Sequence, residues 1–516
     1  MVFRASFLLI ALLAIAAGMA PARFDDAVSW ILAGMVHSTG WLYLLVVFAT
    51  LGFMLYLAFG RLGELRIGGP DAEPAFSVAS WLSMLFAAGM GIGLVFWGAA
   101  EPLSHYFAPP EGLPPESWAS ARAAMRYAFF HWGLHPWAIY ALIGLAMAWF
   151  QYNRHGRGQL SDLLQPVLGR FHRGAVGHAV DIAAVVATAI GVATTLGFGT
   201  LQITAGLSRV FGVQGGVAVQ LTVIVVAFVL YMASTLSGVD RGIKWLSNFN
   251  LALAALLLAM VLVLGPTAYL FDVFTTTLGS YLDELVGMSL RLSPFSGSQW
   301  VADWTIFYWA WWISWAPFVG SFIARVSYGR TIRQFVAGTV LAPSLLGFFW
   351  FSVFGGTALW QQRSGIDLQP ALEAGYQNVL FELLAHLPLG TAMSVLALAL
   401  LVIFFVTSAD SAVLVLASMS GTEAGDPPPW RKLAWGVAIA VVAAALLLAG
   451  GLDALQGLVT VSALPFALLM ALVILALHRT LSHAQQVRRR RERRMRHALE
   501  RWLYGPEGGR GAAPEE

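Results

Sequence analysis

Residues 307–315 read Phe-Tyr-Trp-Ala-Trp-Trp-Ile-Ser-Trp, placing tryptophan at 309, 311, 312 and 315. The chemistry such a run supports is cation binding by ring faces. Indole is the best aromatic partner for a desolvated cation without N–H donors, such as a quaternary ammonium, at roughly 0.5–2 kcal/mol per contact. Pro317 lies in the same apolar stretch and is expected to interrupt the helix there. Backbone groups freed by a break at membrane depth cannot face hydrocarbon, so they should line a cavity. A second aromatic set, Trp132, Trp137 and Tyr140, sits in the run His131 to Tyr140 and spans an arc of about 140° on one helix. Alone, such spacing reads as core or interface belt. Two sets on two separate spans read instead as facing walls of one box.

Other polar and flexible residues fall inside apolar runs. Gly89, Gly91 and Gly93 alternate within one predicted helix, each costing about 1 kcal/mol relative to alanine. Either close helix packing through small residues or approach of a ligand to the backbone offsets that cost. In Phe404-Phe405-Val406-Thr407-Ser408-Ala409-Asp410-Ser411, adjacent hydroxyls and a carboxylate occur in an apolar helix. Such hard oxygens suit a small alkali cation, with carbonyls from an unwound stretch near Ala87 and Met90 completing the shell. The competing reading has the hydroxyls bonding back to the preceding turn. Asp410 either orients its neighbours or marks the cytoplasmic end of the helix, since an intramembrane carboxylate is costly. His131 and His135 have i, i+4 spacing but no third ligand nearby in sequence, and read as hydrogen-bonded core histidines.

No nucleophile–base pair, phosphate loop or pair of carboxylates stands out, so the chain does not read as an enzyme. An intramembrane enzyme acting on a choline-bearing lipid would need a hydrolytic set facing the box, and only Asp410 and two histidines are on offer. A channel is disfavoured because two tryptophan walls obstruct a continuous pore.

The elements that must position these residues follow from composition. The 516 residues are 58% hydrophobic and 11% charged, with mean hydropathy +0.72, which is the make-up of an all-α integral membrane protein in one bundle. The absence of cysteine excludes disulfides and thiolate metal sites. No nucleic-acid partner is expected, because the basic excess is confined to the last 40 or so residues.

Apolar windows predict twelve transmembrane helices, near 5–20, 41–60, 78–99, 124–150, 176–206, 216–236, 243–265, 301–326, 335–358, 389–420, 432–450 and 455–478. Arg4 and Ala-Gly-Met-Ala-Pro at 17–21 also resemble a cleavable signal sequence, and either fate of the first helix leaves the remaining topology unchanged. Arg61, Arg66, Arg154, Arg157, Arg170, Arg173, Arg325, Arg330, Arg333 and the Arg-rich tail fall on one side, which places both termini in the cytoplasm. Glu101, Glu111, Glu116, Asp272, Asp283, Glu284, Asp367, Glu373 and Glu382 fall in the opposite loops. Residues 268–290 read as an amphipathic surface helix or a packed loop helix.

The predicted organisation is two N-terminal helices (1–77), a first five-helix repeat (78–265), an amphipathic connector (266–299), a second five-helix repeat (300–478) and a basic cytoplasmic tail (479–516). Interrupted helices five positions apart, one at Gly89–Gly93 and one at Pro317–Gly320, are the basis for two inverted repeats with a midplane site between them. The tail run Arg488 to Arg496 should bind anionic lipid at about 1 kcal/mol per basic residue.

These motifs resemble the betaine/carnitine/choline transporter family along nearly the whole chain. The most specific parts are Ala87-Ala88-Gly89-Met90-Gly91-Ile92-Gly93, Ala100-Glu101-Pro102, His131 to Tyr140, Asp303-Trp304-Thr305 through Gly329-Arg330-Thr331-Ile332-Arg333, and Thr407 to Ser411. The resemblance implies a leucine-transporter-type 5+5 inverted-repeat core, commonly a homotrimer, in a bacterial-type inner membrane. It implies a substrate box of Trp132, Trp137, Tyr140 and Trp312, with Trp311, Trp315 and Phe322 on the access path. The sodium site it implies uses carbonyls of Ala87, Met90 and Phe404 and hydroxyls of Thr407 and Ser408. For a second sodium, Thr188 and Phe318 match, but Val192 stands where a second threonine is found in strictly sodium-coupled betaine carriers. Gly93 replaces the aspartate that choline carriers of the family tend to hold, which favours a zwitterion such as glycine betaine, its carboxylate meeting free N–H groups of the glycine-rich stretch. The expected activity is sodium-coupled import by alternating access, without an organic cofactor; the alternative is a choline or carnitine carrier that is proton-coupled or an exchanger.

Overall fold

The computed structural model describes residues 1–89, 91–154, 156, 158–237, 240–421 and 425–504, and for 86–89, 240–245 and 503–504 the backbone alone. Met90 and Arg157 lie outside the described residues. Nineteen α-helices follow in order: α1 Val2–Met19, α2 Pro21–Phe59, α3 Val78–Gly89, α4 Ile92–Phe107, α5 Trp118–Trp132, α6 Leu134–Arg154, the short α7 Leu160–Leu163 and α8 Gln165–Leu168, α9 Ala175–Phe211, α10 Val217–Ser237, α11 Asp240–Leu264, α12 Thr267–Ser289, α13 Phe307–Val326, α14 Ile332–Arg363, the short α15 Gln369–Glu373 and α16 Tyr376–Ala385, α17 Gly390–Met419, α18 Pro429–Ala449 and α19 Leu452–Tyr504. Among the described residues the only strand-like pairing is an isolated bridge between Arg66 and Thr331.

Among the described residues ten segments, one of them α5 and α6 taken together, are long and apolar enough to cross a bilayer, and they coincide with ten of the twelve expected spans. The remaining two are the broken pair α3–α4 and the tryptophan-rich α13, the elements that carry the site. The first is divided into helices of 12 and 16 residues, each too short to span alone, and the second owes much of its apolarity to aromatic rings rather than aliphatic chains.

Several expectations are corrected. Pro317 does not interrupt its helix, because α13 runs through it from Phe307 to Val326; packing on neighbouring helices tolerates the missing N–H. The irregular part of that span is instead a π-helical turn at Ala302–Ile306. Glu101 is not in a loop: it lies inside α4 and is fully buried. The second helix starts at Pro21, some 20 residues before the apolar window at 41–60. The last helix does not stop at 478, since α19 continues through the arginine run to Tyr504, where Arg488–Glu492 and Arg496–Glu500 pair at i, i+4 with distances of 2.7 and 3.1 Å.

The long helices pack in two groups. In one, α4 packs on α5 and α14, and α6 packs on α13 and α14. In the other, α9 and α10 pack on α17 and α18. Exchanging each span for the one five spans later preserves these neighbours: α6 against α13 becomes α14 against α4, and α9 against α18 becomes α17 against α10. In the first group α6 and α13 approach to backbone contact, because a Cβ on Gly320 would lie 3.0 Å from the Gly144 nitrogen and one on Gly144 would lie 3.3 Å from the Gly320 oxygen. Two glycines facing each other allow this separation.

Opposite ends of the bundle differ in charge. At one end Arg66 donates to Gly329 O at 2.8 Å, Arg330 to Phe76 O at 2.6 Å and Arg333 to Ala58 O at 2.8 Å, so arginines tie loops there to helix ends. At the other, Arg126 on α5 bridges Glu111 at 3.1 Å and Glu284 on α12 at 2.9 Å, and Arg291 joins Glu111. The connector is thereby fastened to the bundle. Removing one member of a largely buried ion pair leaves its partners uncompensated. Arg126→Met is therefore expected to lower the thermal unfolding midpoint by several degrees without changing ligand affinity, checked by fluorescence-monitored melting alongside binding.

Candidate aromatic binding site

Local chain geometry aims the aromatic residues. Gly133 breaks the fourth span between α5 and α6; a Cβ there would meet Phe129 O and a Phe348 ring carbon, each at 2.5 Å. Trp132 therefore ends α5, and Trp137 and Tyr140 restart on the first turns of α6. On α13, Tyr308, Trp311, Trp312 and Trp315 follow at i, i+3, i+4 and i+7 and share one stripe.

The two sets meet. The Trp132 and Trp312 rings lie edge to face with centroids 4.8 Å apart at 73°. Tyr140 stands 6.3 Å from Trp312 at 79°, and Trp137 stands 5.5 Å from Tyr140 at 82°. Trp311, expected on the access path, stacks on Trp312 at 4.7 Å and 16° and meets Trp132 at 6.1 Å. Trp315 packs edge-on against Phe318 at 5.2 Å, and Phe322 is the more exposed end of this line. Trp132, Trp137, Tyr140 and Trp312 keep 4–7% exposure where adjacent Tyr308, Trp309 and Trp311 keep 0–2%.

Glycine positions shape the floor. Gly91 is extended (φ −158°, ψ −177°) at the start of α4, with no side-chain cap, so the first N–H groups of that helix lack intrahelical acceptors. A Cβ on Gly91 would meet nothing within 4 Å, whereas one on Gly93 would lie 2.8 Å from the Trp311 ring and 2.9 Å from the Trp132 ring. Of these two positions, Gly93 is the one that the indoles hold to glycine. Of Ala87 and Gly89 only the helical backbone is described, and Met90 lies outside the described residues.

The indole N–H groups of Trp132, Trp311, Trp312 and Trp315 have acceptors, which fixes the angles of those rings. Trp312 Nε1 donates to His131 O at 2.9 Å, Trp311 Nε1 to Thr195 Oγ1 at 3.0 Å and Trp315 Nε1 to Gly191 O at 3.0 Å. Trp132 Nε1 donates to Glu101 Oε2 at 2.7 Å. That carboxylate is a hub the sequence reading did not find: Tyr308 OH also donates to Oε2 at 2.5 Å, and Oε1 lies 2.7 Å from His131 Nδ1 and 3.3 Å from His105 Nε2. His131 Nε2 in turn lies 3.0 Å from Thr305 Oγ1. Glu101, His105 and His131 are close enough to be considered as metal ligands, but both carboxylate oxygens already accept two bonds each, so the group is a hydrogen-bond network in which His105 Nδ1 is left without a partner among the described residues. His135 separates from His131, meeting Ser289 Oγ at 2.9 Å and stacking on Trp309.

The oxygen-bearing residues of α17 are less converged. Phe404 is buried, Thr407 and Ser408 are half-buried, and Thr407 Oγ1 bonds back to Ile403 O at 2.8 Å. Asp410 is buried and accepts from Thr235 on α10, so it joins two helices of the second group. On α9, Thr188 Oγ1 is buried without a hydrogen-bond partner among the described residues, and Val192 is likewise buried.

The profile of the betaine/carnitine/choline transporter family matches residues 1–486. The glycine betaine transporter OpuD of Bacillus subtilis (strain 168) is 47% identical over 452 residues, covering 87% of this chain and 88% of the relative. An ectoine/hydroxyectoine transporter of Virgibacillus pantothenticus is 41% identical, covering 94% and 97%. A glycine betaine transporter of Acinetobacter baylyi (strain ATCC 33305 / BD413 / ADP1) is 40% identical, covering 92% and 72%. Among solved structures, a Na+-coupled sialic acid symporter in a substrate-bound outward-open state aligns with a TM-score of 0.46 at 15% identity, covering 84% and 85%.

Proposed function

Since the chain belongs to the betaine/carnitine/choline family of transporters, we propose that it imports glycine betaine by alternating access around the aromatic site. The observation that carries this reading is the continuous set of ring contacts in which Trp312 meets Trp132 at 4.8 Å and Tyr140 at 6.3 Å, and Tyr140 meets Trp137 at 5.5 Å. A trimethylammonium group cannot donate hydrogen bonds, and ring faces are what it can bind once desolvated. The uncapped start of α4 beside Gly91 and Gly93 supplies N–H groups and a positive helix end for the ligand carboxylate. A zwitterion thus finds both of its charges met within one site. In the same reading Trp315 and Phe322 line the route of entry.

Sodium is proposed as the coupling ion, held by carbonyls of Ala87, Met90 and Phe404 and hydroxyls of Thr407 and Ser408. The bond from Thr407 to Ile403 O is the resting state of a hydroxyl that turns toward the ion. With Val192 on α9, a second sodium at Thr188 and Phe318 lacks one oxygen, so one sodium per substrate is favoured. The α3–α4 pair and α13 complete twelve crossings, and the exchange of helix neighbours supports two five-helix repeats over 78–265 and 300–478. The arginine-rich end, including the extended α19, is placed on the cytoplasmic side against anionic lipid. A homotrimer is the assembly the family implies.

The test is uptake into proteoliposomes of labelled betaine, choline, carnitine and ectoine, each under a sodium or a proton gradient. Saturable, sodium-driven betaine uptake is expected; uptake of choline alone, or driven by protons alone, overturns the assignment. In that assay Thr407→Ala with Ser408→Ala should raise the sodium concentration for half-maximal uptake by about tenfold. A sodium curve identical to wild type removes those hydroxyls from the site.

A further inference from the structure

We infer that Glu101 is a positioning residue whose carboxylate sets the angle of both tryptophan walls and thereby the affinity for a quaternary-ammonium ligand. The inference rests on the betaine reading above and deepens it. Glu101 sits on α4, ten residues or about 15 Å along the helix from the break at Gly91. It reaches the ends of two other elements. Oε2 takes the N–H of Trp132 from α5 and the O–H of Tyr308 from α13, and Oε1 faces the imidazoles of His131 and His105.

From there the constraint passes to the opposite wall. His131 is held by its ring between Glu101 and Thr305, and its backbone carbonyl accepts the N–H of Trp312. One carboxylate therefore fixes Trp132 directly and Trp312 through one intermediary. Neither contact places Glu101 on the ligand itself. All of the groups named, Glu101, His105, His131 and Tyr308, are fully buried, so water does not substitute for a lost bond without entering the core.

Geometry and charge make opposite predictions for two conservative variants. A carboxylate only accepts, so both imidazoles donate to it; histidine can exchange tautomers, whereas the Trp132 N–H can only donate. Glu101→Gln can keep its amide oxygen on Trp132 and Tyr308 and turn its NH2 toward His131 and His105. His131 then donates through Nε2 to Thr305 instead, and His105 shifts its proton to Nδ1, an atom that has no partner now. Glu101→Asp keeps the charge but withdraws it by one methylene, about 1.5 Å, which breaks the 2.7 Å bond from Trp132.

The experiment measures betaine binding to the purified full-length protein by tryptophan fluorescence and uptake in proteoliposomes. Glu101→Gln is expected to stay within about threefold of wild type in Kd and KM. Glu101→Asp is expected to raise both by about tenfold with maximal rate changed less than twofold, the size of one lost charge-assisted bond. Aspartate matching wild type while glutamine fails, or neither variant changing affinity, overturns the positioning role; so does a loss confined to maximal rate. Wild-type protein that neither binds nor transports betaine overturns the functional reading instead.

Discussion

Trp312→Leu is expected to abolish saturable betaine uptake while the protein still inserts and purifies as a monodisperse species. Trp312 is where the two walls join, touching Trp132, Trp311 and Tyr140 with centroids 4.8, 4.7 and 6.3 Å away. Leucine keeps the apolar character of the position but loses the ring face, a contact worth roughly 0.5–2 kcal/mol to a bound cation. It also frees Trp132 and Trp311 to move into the vacated volume, so the remaining faces no longer meet a ligand together. The two losses compound, and affinity should fall by at least about a hundredfold. Trp312 also lies at the centre of a large core, where truncation costs about 3–5 kcal/mol to alanine and less to leucine, an amount a helical bundle of this size tolerates. Uptake with unaltered kinetics in this variant removes the ring from the binding site.

Gly93→Val is expected to reduce betaine uptake by about ten- to a hundredfold, while Gly91→Ala stays within about threefold. The contrast is geometric, because the two glycines stand two residues apart in sequence but in different surroundings in space. A Cβ at 93 would collide with the Trp311 and Trp132 rings at 2.8 and 2.9 Å, and one at 91 would meet nothing. Valine at 93 must push both indoles out of register or shift α4, and overpacking of this kind costs about 1–3 kcal/mol. Parallel uptake assays on the two variants check the pair. Equal effects at both positions would mean that the glycines serve backbone flexibility rather than ring approach.

Much of the site was legible because tryptophan and glycine announce themselves. Four indoles on one span and an aromatic trio on another are compositional extremes, and helical spacing was enough to put each set on one face. The ten aliphatic spans were legible for the same reason, being long runs with a single reading. Pro317 misled because a sequence does not reveal which neighbours tolerate a missing N–H, and α13 continues through it. Glu101 falls in a loop when the apolar window ends at residue 99, yet α4 runs on through Pro102 to Phe107 and buries the carboxylate. Its partners lie 4, 30, 31 and 207 positions away, and no local pattern joins residues so far apart. The helical course of the arginine run was hidden for a different reason: its charge reads as a solvated tail, and only the i, i+4 pairs of Arg488 with Glu492 and Arg496 with Glu500 hint otherwise.

The contact of Gly144 with Gly320 has a kinematic consequence. With no side chain between them, α6 and α13 cannot part without opening a void, so Trp137 and Tyr140 ride together with the indoles of α13. In an alternating-access cycle of the kind proposed above, the seam toward α9, bridged by the N–H groups of Trp311 and Trp315 reaching Thr195 and Gly191, is the contact that must open. A bound cation would be carried like a load between closed jaws, while the hinge turns elsewhere.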